Sequence, residues 1–157
     1  MIAESVIRTA VVNKIIANDA TARVYRRHRF PSGDQLAEYV RLFVNAGQIN
    51  TYMVRRLRRI PEVHGIPKRL VSVTHDYGIT FFYGLVDDDS DDVASEEIMQ
   101  ATIESLAALF EADNTIGLGH SIGHEGLALP ADLSDGMLGS WKCLHAALRL
   151  RVTAQDC

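Results

Sequence analysis

The chain has 157 residues, 47% of them apolar and 23% charged, with a net charge of −4. That length predicts a single domain over residues 1–157, able to bury about 70% of its unfolded surface without disulfide or metal staples. No apolar run nears the roughly 18 residues of a membrane helix, and Met1-Ile2-Ala3-Glu4 lacks the charged and apolar regions of a signal peptide, so neither is expected.

In residues 3–18, Ile7, Val11 and Ile15 recur at helical spacing with Val12 and Ile16 alongside, which predicts an amphipathic helix. Residues 21–30 alternate, with Val24 and Phe30 sharing a parity with Arg26 and His28, and read as a strand with one basic side. Pro31-Ser32-Gly33 breaks it. Ser32 and Gln35 have capping-box spacing for a second helix, whose stripe is Leu36, Tyr39, Val40 and Phe43 and whose C-terminal cap is Gly47. Residues 48–60 are β-branched and aromatic at first, then arginine-rich, and read as a strand. Residues 62–68, with Gly65 and Pro67, read as a loop.

Residues 71–85 give the clearest strand signal. Val71, Val73, His75, Tyr77, Ile79, Phe81, Tyr83 and Leu85 hold one parity across Asp76-Tyr77-Gly78. A two-residue turn there would be the usual reading. Unbroken parity predicts one long strand bent at Gly78, spanning roughly 50 Å and projecting in part. After an acidic loop, with Ser90 as N-cap, a helix runs to about Ala112 with Met99, Ile103, Leu106 and Phe110 buried. Residues 113–140 are glycine-rich and suggest short strands and a loop. Leu144, Ala146, Leu148, Leu150 and Val152 alternate with His145, Ala147, Arg149 and Arg151, a final half-buried strand. The expected fold is α+β: a mixed, mainly antiparallel sheet with helices packed on it.

Few residues point to chemistry. Gly119-His120-Ser121-Ile122-Gly123 matches a nucleophile elbow, but the glycines and Pro130 downstream open no helix, and Asp132 and His145 are weak partners for Ser121. His120 and His124, with Glu125, chelate a metal only if helical, which Gly117, Gly119, Gly123 and Gly126 oppose. Cys143 and Cys157 form neither a disulfide framework nor a metal pair, and two free thiols in a reducing compartment are expected. No catalytic, cofactor or metal site is expected.

Charge is more informative. Residues 1–86 hold 13 Lys/Arg and 6 Asp/Glu, whereas residues 87–157 hold 3 and 14. Arg23, Arg26, Arg27 and Arg29 form one basic group; Arg55, Arg56, Arg58 and Arg59 a second; Lys68 and Arg69 a third. If 21–30 and 48–60 are neighbouring strands, they align as a stripe. The stripe is open to three uses: a nucleic-acid contact, a solvated edge, or a contact with the acidic 87–97 segment of a second copy. A pI near 5.8 counts against a dedicated DNA binder.

Taken in order, Val24-Tyr25-Arg26-Arg27, the short helix, the run from Gly47 to Arg56, the run from His75 to Asp87, the helix with Phe110 and Asp113, and the run from Cys143 to Leu150 resemble the bacteriophage tail terminator (tail completion) proteins. More loosely they resemble other phage neck proteins, including head–tail connectors and stoppers. The resemblance covers the chain from about residue 20, apart from 114–140. It implies an α+β subunit of a ring, typically a hexamer, on the head-proximal end of the tail tube. Such a ring ends tube polymerisation and joins the head. Its implied partners are other copies of itself, the tube protein and a connector or stopper, with DNA passing the lumen. It implies no cofactor, no catalysis and no membrane. Its place is the virion, after assembly in the host cytoplasm. A ring needs two unlike patches per copy, and the hypothesis is that Arg55, Arg56, Arg58 and Arg59 meet Asp87, Asp88, Asp89, Asp91 and Asp92 of the neighbour.

Overall fold

A computed structural model describes residues 1–27, 29, 36–45, 47–85, 92–130, 133–138 and 141–156. The elements run α1 (Glu4–Asn18), β1 (Arg23–Tyr25), α2 (Leu36–Phe43), β2 (Val44–Asn45), β3 (Gln48–His64), β4 (Arg69–Leu85), α3 (Asp92–Ala112), β5 (Ile122–Ala128), β6 (Ser134–Leu138) and β7 (Trp141–Gln155). The strands form one mixed sheet in the order β1-β3-β4-β7-β5, with β2 on β3 and β6 on β7. Among the described residues, β1 against β3 is parallel and the other pairings are antiparallel. The α+β class is as the sequence indicates.

β4 is the axis of the sheet. It is one 17-residue strand, with no turn at Asp76-Tyr77-Gly78. Val73, His75, Tyr77, Ile79, Phe81 and Tyr83 are all buried on one face. Alternation places them there together, because side chains two apart share a side. On that face lie Ile7, Val11, Val12 and Ile15 of α1 and Met99, Ile103, Leu106 and Phe110 of α3. The even positions of β7, from Ala146 to Ala154, complete this core. Tyr52 of β3 stacks on Phe81 at 4.0 Å between ring centroids, and their residues are cross-strand partners. Among the described residues, the opposite face is covered at one end, where Leu42 and Phe43 of α2 pack on Ile49, Met53, Phe82 and Cys143.

Local interactions set the ends of α1. Glu4 pairs with Arg8 at 2.8 Å one turn on. The Asp19 carboxylate accepts the Thr21 N–H at 2.9 Å and the Thr21 hydroxyl at 2.7 Å. This Asx-type turn stops the helix, and the Asn50 amide ties it to β3. Burial alone would raise the Asp19 pKa; the hydrogen bonds from Asn50, Thr21 and Ala22 outweigh it and hold the carboxyl below its ordinary value.

Several expectations change. The strand expected over 21–30 is only Arg23–Tyr25, because its partner register runs from Thr51 to Met53. His28 and Phe30 to Gln35 lie outside the described residues, as do the Ser32 cap and Ser90. Val40 is 41% exposed, and Leu42 is buried instead. Gly47, at φ 75°, is not a helix cap. α2 has already ended, and Gly47 serves the tight connection between Asn45 and its partner Gln48, where a positive φ is needed. Of the expected loop 62–68, residues 62–64 are strand and 65–68 form the turn. β3 continues to His64 and β4 restarts at Arg69. Pro61 is tolerated because β3 has become an edge there. The irregularity opposite Gly78 lies in β3, where Leu57 is an extra residue between the pairs Arg56–Tyr77 and Arg58–Asp76. A Cβ on Gly78 would sit 3.0 Å from the Leu57 side chain, so glycine leaves room for the bulge.

Phe81→Ala is expected to lower stability by about 3–5 kcal/mol through the cavity it leaves. Leu57→Ala, at a 42% exposed position, is expected to cost under about 1 kcal/mol. Urea denaturation of both variants measures the contrast, and equal losses would refute this division into core and arm.

Candidate interaction surface

β3 and β4 outrun the rest of the sheet. β7 pairs with β4 only between Ser72 and Tyr83. On its other side β3 is paired at Gln48, Ile49 and Thr51 to Met53. From Val54 to His64 it has no strand partner on that edge among the described residues. Beyond the Glu62–Ser72 pair, where β7 stops, the hairpin therefore projects as a two-stranded arm, closed by residues 65–68 with Gly65 at φ 81° and a cis Ile66–Pro67 bond. Every residue from Arg55 to Arg69 is exposed. Among them are Leu57, Ile60, Val63 and Ile66, an apolar set that a solvated edge does not need.

The Leu57 bulge divides the arginines. Arg56 pairs with Tyr77 and Arg59 with His75, which puts them on the helix-bearing side. Arg55 pairs with Gly78 and Arg58 with Asp76, which puts them on the opposite, bare side. The single stripe expected from sequence is thus two pairs on two faces. Of the Arg23 group, Arg23 itself lies in the parallel pairing beside Thr51. On the bare side Arg151 donates to Asp76 at 2.8 Å, and Arg149 lies exposed two residues earlier. Asp76 is held below its ordinary pKa by the Arg151 hydrogen bond first, with burial opposing and the charges of Arg151, Arg58 and Arg149 assisting.

Among the described residues, the acidic surface is carried by α3. α3 contains no Lys or Arg and exposes Glu96, Glu97, Glu104 and Glu111. With Leu129, Pro130 and Leu133 it borders an open groove of about 370 Å³, floored by Ile103 and flanked by Glu96, Gln100 and Glu104. Sequence reading missed this groove because its apolar wall comes from the β5–β6 connection. Asp87, Asp88, Asp89 and Asp91 lie outside the described residues. Asp92 opens α3, and its side chain is likewise undescribed.

The residues singled out for chemistry are accounted for by structure. Ser121 sits in a turn, its carbonyl accepting from the Gln155 N–H at 2.8 Å. His145 is ten positions back along β7, roughly 33 Å away at strand rise, stacked on Phe82. Asp132 lies outside the described residues. His120 is exposed, whereas His124 is buried on β5, edge-on to Phe110. Its Nδ1 accepts the Gly126 N–H at 2.9 Å, so Nε2 donates to the Asp113 carbonyl at 3.0 Å. Both nitrogens are used in packing. The Asp113 carboxylate is brought down to about 2 by Lys14 first, then by Thr115. Burial pushes the Cys143 thiol up to about 11. A thiol at that value is a poor nucleophile.

His75 is the buried titratable group at the root of the arm. Burial depresses its pKa; Arg56 depresses it further, Glu4 opposes and Arg59 adds. Its Nδ1 has no hydrogen-bond partner among the described residues. A folded pKa below the unfolded 6.5 means that the unfolded chain binds the proton more readily. Stability is then full above about pH 6.5 and is lost as pH falls toward the folded pKa. His75→Leu is expected to remove this loss between about pH 7 and 5, leaving the acid limb set by the lowered carboxylates Asp113, Asp19, Asp76 and Glu62. Melting temperatures across pH test this, and unchanged pH dependence in the variant would exclude His75 as its source.

No protein-family model matches the chain, and a search of curated proteins gave no significant match.

Proposed function

We propose that the protein is a ring-forming structural protein of the bacteriophage neck, a tail terminator that caps the head-proximal end of the tail tube. A connector or stopper of the same neck is the neighbouring alternative. The reading rests on the order of elements and residues that resembles the terminators. The observation that carries it further is the pair of unlike surfaces. A basic, apolar-tipped arm leaves one edge of the sheet, and an acidic helix with an open groove lies toward the other. Two different patches on one chain make a heterologous contact, which closes into a ring when the rotation per subunit allows. Complementary charge favours the correct register and speeds association.

A second reading has its own observation. Arg55, Arg58, Arg149 and Arg151 share the bare face of the sheet, which suits a phosphate backbone. In a ring this face serves the lumen where DNA passes; in a lone chain it serves a small nucleic-acid-binding regulator.

Light scattering after size exclusion, with negative-stain imaging, tests the first reading. The 17.4 kDa chain is expected as a ring; a hexamer would weigh about 105 kDa. A monomer that binds DNA with steep salt dependence would replace it with the regulator.

A further inference from the structure

The arm and the groove fit each other, but not within one chain. In sheet order the groove lies beyond β5, on the opposite edge from β3. Three strand spacings separate those edges, about 14 Å. Along the strands the separation is larger. The end of β5 is level with Gly78, through the Ala128–Arg149 and Gly78–Arg149 pairs. The arm tip lies beyond Arg69, nine residues further down β4. That is roughly 30 Å at strand rise. No bend within the arm brings its tip to its own groove, so any arm seated there belongs to a second copy.

The chemistry of the two surfaces matches. At the tip, Ile66 is fully exposed and Val63 nearly half so, flanked by exposed Lys68 and Arg69. In the groove, Ile103, Leu129, Pro130 and Leu133 supply apolar lining, and Glu96 and Glu104 flank it. Apolar side chains of the tip meeting Leu129 and Pro130 contribute to the contact by removing surface from water. The surrounding charges set its direction. Tip against tip would place Lys68 and Arg69 opposite their own copies, and groove against groove would place glutamates together. Like charges opposed cost free energy in both cases. Only arm into groove satisfies both.

We infer that the β3–β4 arm of one copy seats its Ile66 tip in the groove between α3 and the β5–β6 connection of the next copy. This rests on the ring reading above and names its contact, in place of the acidic loop 87–92. The contact is head to tail, so each copy uses its arm on one neighbour and its groove on the other.

The test uses two single variants of the full chain. Ile66→Asp spoils the arm and keeps the groove; Glu104→Arg spoils the groove and keeps the arm. Both positions are exposed, and circular dichroism and melting temperature verify that each folds as wild type. Each variant alone is expected to associate at least tenfold more weakly than wild type. Mixed together, they have one good arm and one good groove between them, and they are expected to form a heterodimer of about 35 kDa and nothing larger. A second measurement reads the contact directly. Ile66→Cys with Gln100→Cys, in a Cys157→Ser background, is expected to give disulfide-linked multimers on oxidation, absent from either single cysteine. Rings in which both variants assemble normally and no cross-link forms would sink the docking and leave the ring reading standing. A wild-type chain that stays monomeric at millimolar concentration overturns the docking and the self-association beneath it. Arm variants that assemble normally but lose salt-dependent DNA binding overturn the docking in favour of nucleic acid on the arm.

Discussion

The structure depends on one strand, β4, that keeps its parity from Val73 to Tyr83. Every odd side chain of β4 from Val73 to Tyr83 enters the same core, so neither neighbour can slip by one residue without turning its own apolar set outward. The Tyr52–Phe81 stack fixes β3, and the run from Ser72–Gln155 to Tyr83–Leu144 fixes β7. α1 and α3 then have one flat apolar face to cover. They cover the middle of β4, and among the described residues nothing packs on the hairpin beyond Ser72, where residues 63–69 are exposed.

The edge of β3 left without a strand partner from Val54 among the described residues explains the character of the hairpin. An uncovered edge is a template for indiscriminate strand pairing, and arginines along it are a common defence. Here the defence is spread over both faces by the Leu57 bulge, with Arg56 and Arg59 on one and Arg55 and Arg58 on the other. Gly78 makes the bulge possible by leaving space beneath Leu57. The edge is thereby basic from either side, while Leu57, Ile60, Val63 and Ile66 retain apolar area. Such an edge rejects its own kind and accepts an acidic, partly apolar surface.

The histidines show how little a residue type says about its role. His124 looks like half of a metal pair, yet its two nitrogens are used by Gly126 and Asp113. They fasten the turn after α3 to β5, and Lys14 clamps the same turn from α1 through the Asp113 carboxylate at 3.0 Å. His75 looks like one more member of an alternating strand, yet it is a buried base between Arg56, Arg59 and Glu4.

Sequence by itself determined what depends on periodicity. The stripe Ile7, Val11 and Ile15, the stripe Met99 to Phe110 and the alternations of β4 and β7 were legible because each buries one side, and burial selects residue type at a fixed interval. The charge split was legible by counting. Only the tertiary structure decided what depends on a distant partner. A bulge is set by cross-strand registration, so the two-faced arginines could not be read from their run. Gly47 suits a helix cap and a hairpin equally, and only the pairing of Asn45 with Gln48 separates them. Pro61 ends a central strand but not an edge, and whether β3 is an edge there depends on where β1 stops. The groove has walls about thirty residues apart in sequence, brought together because α3 and β5 pack on the same sheet.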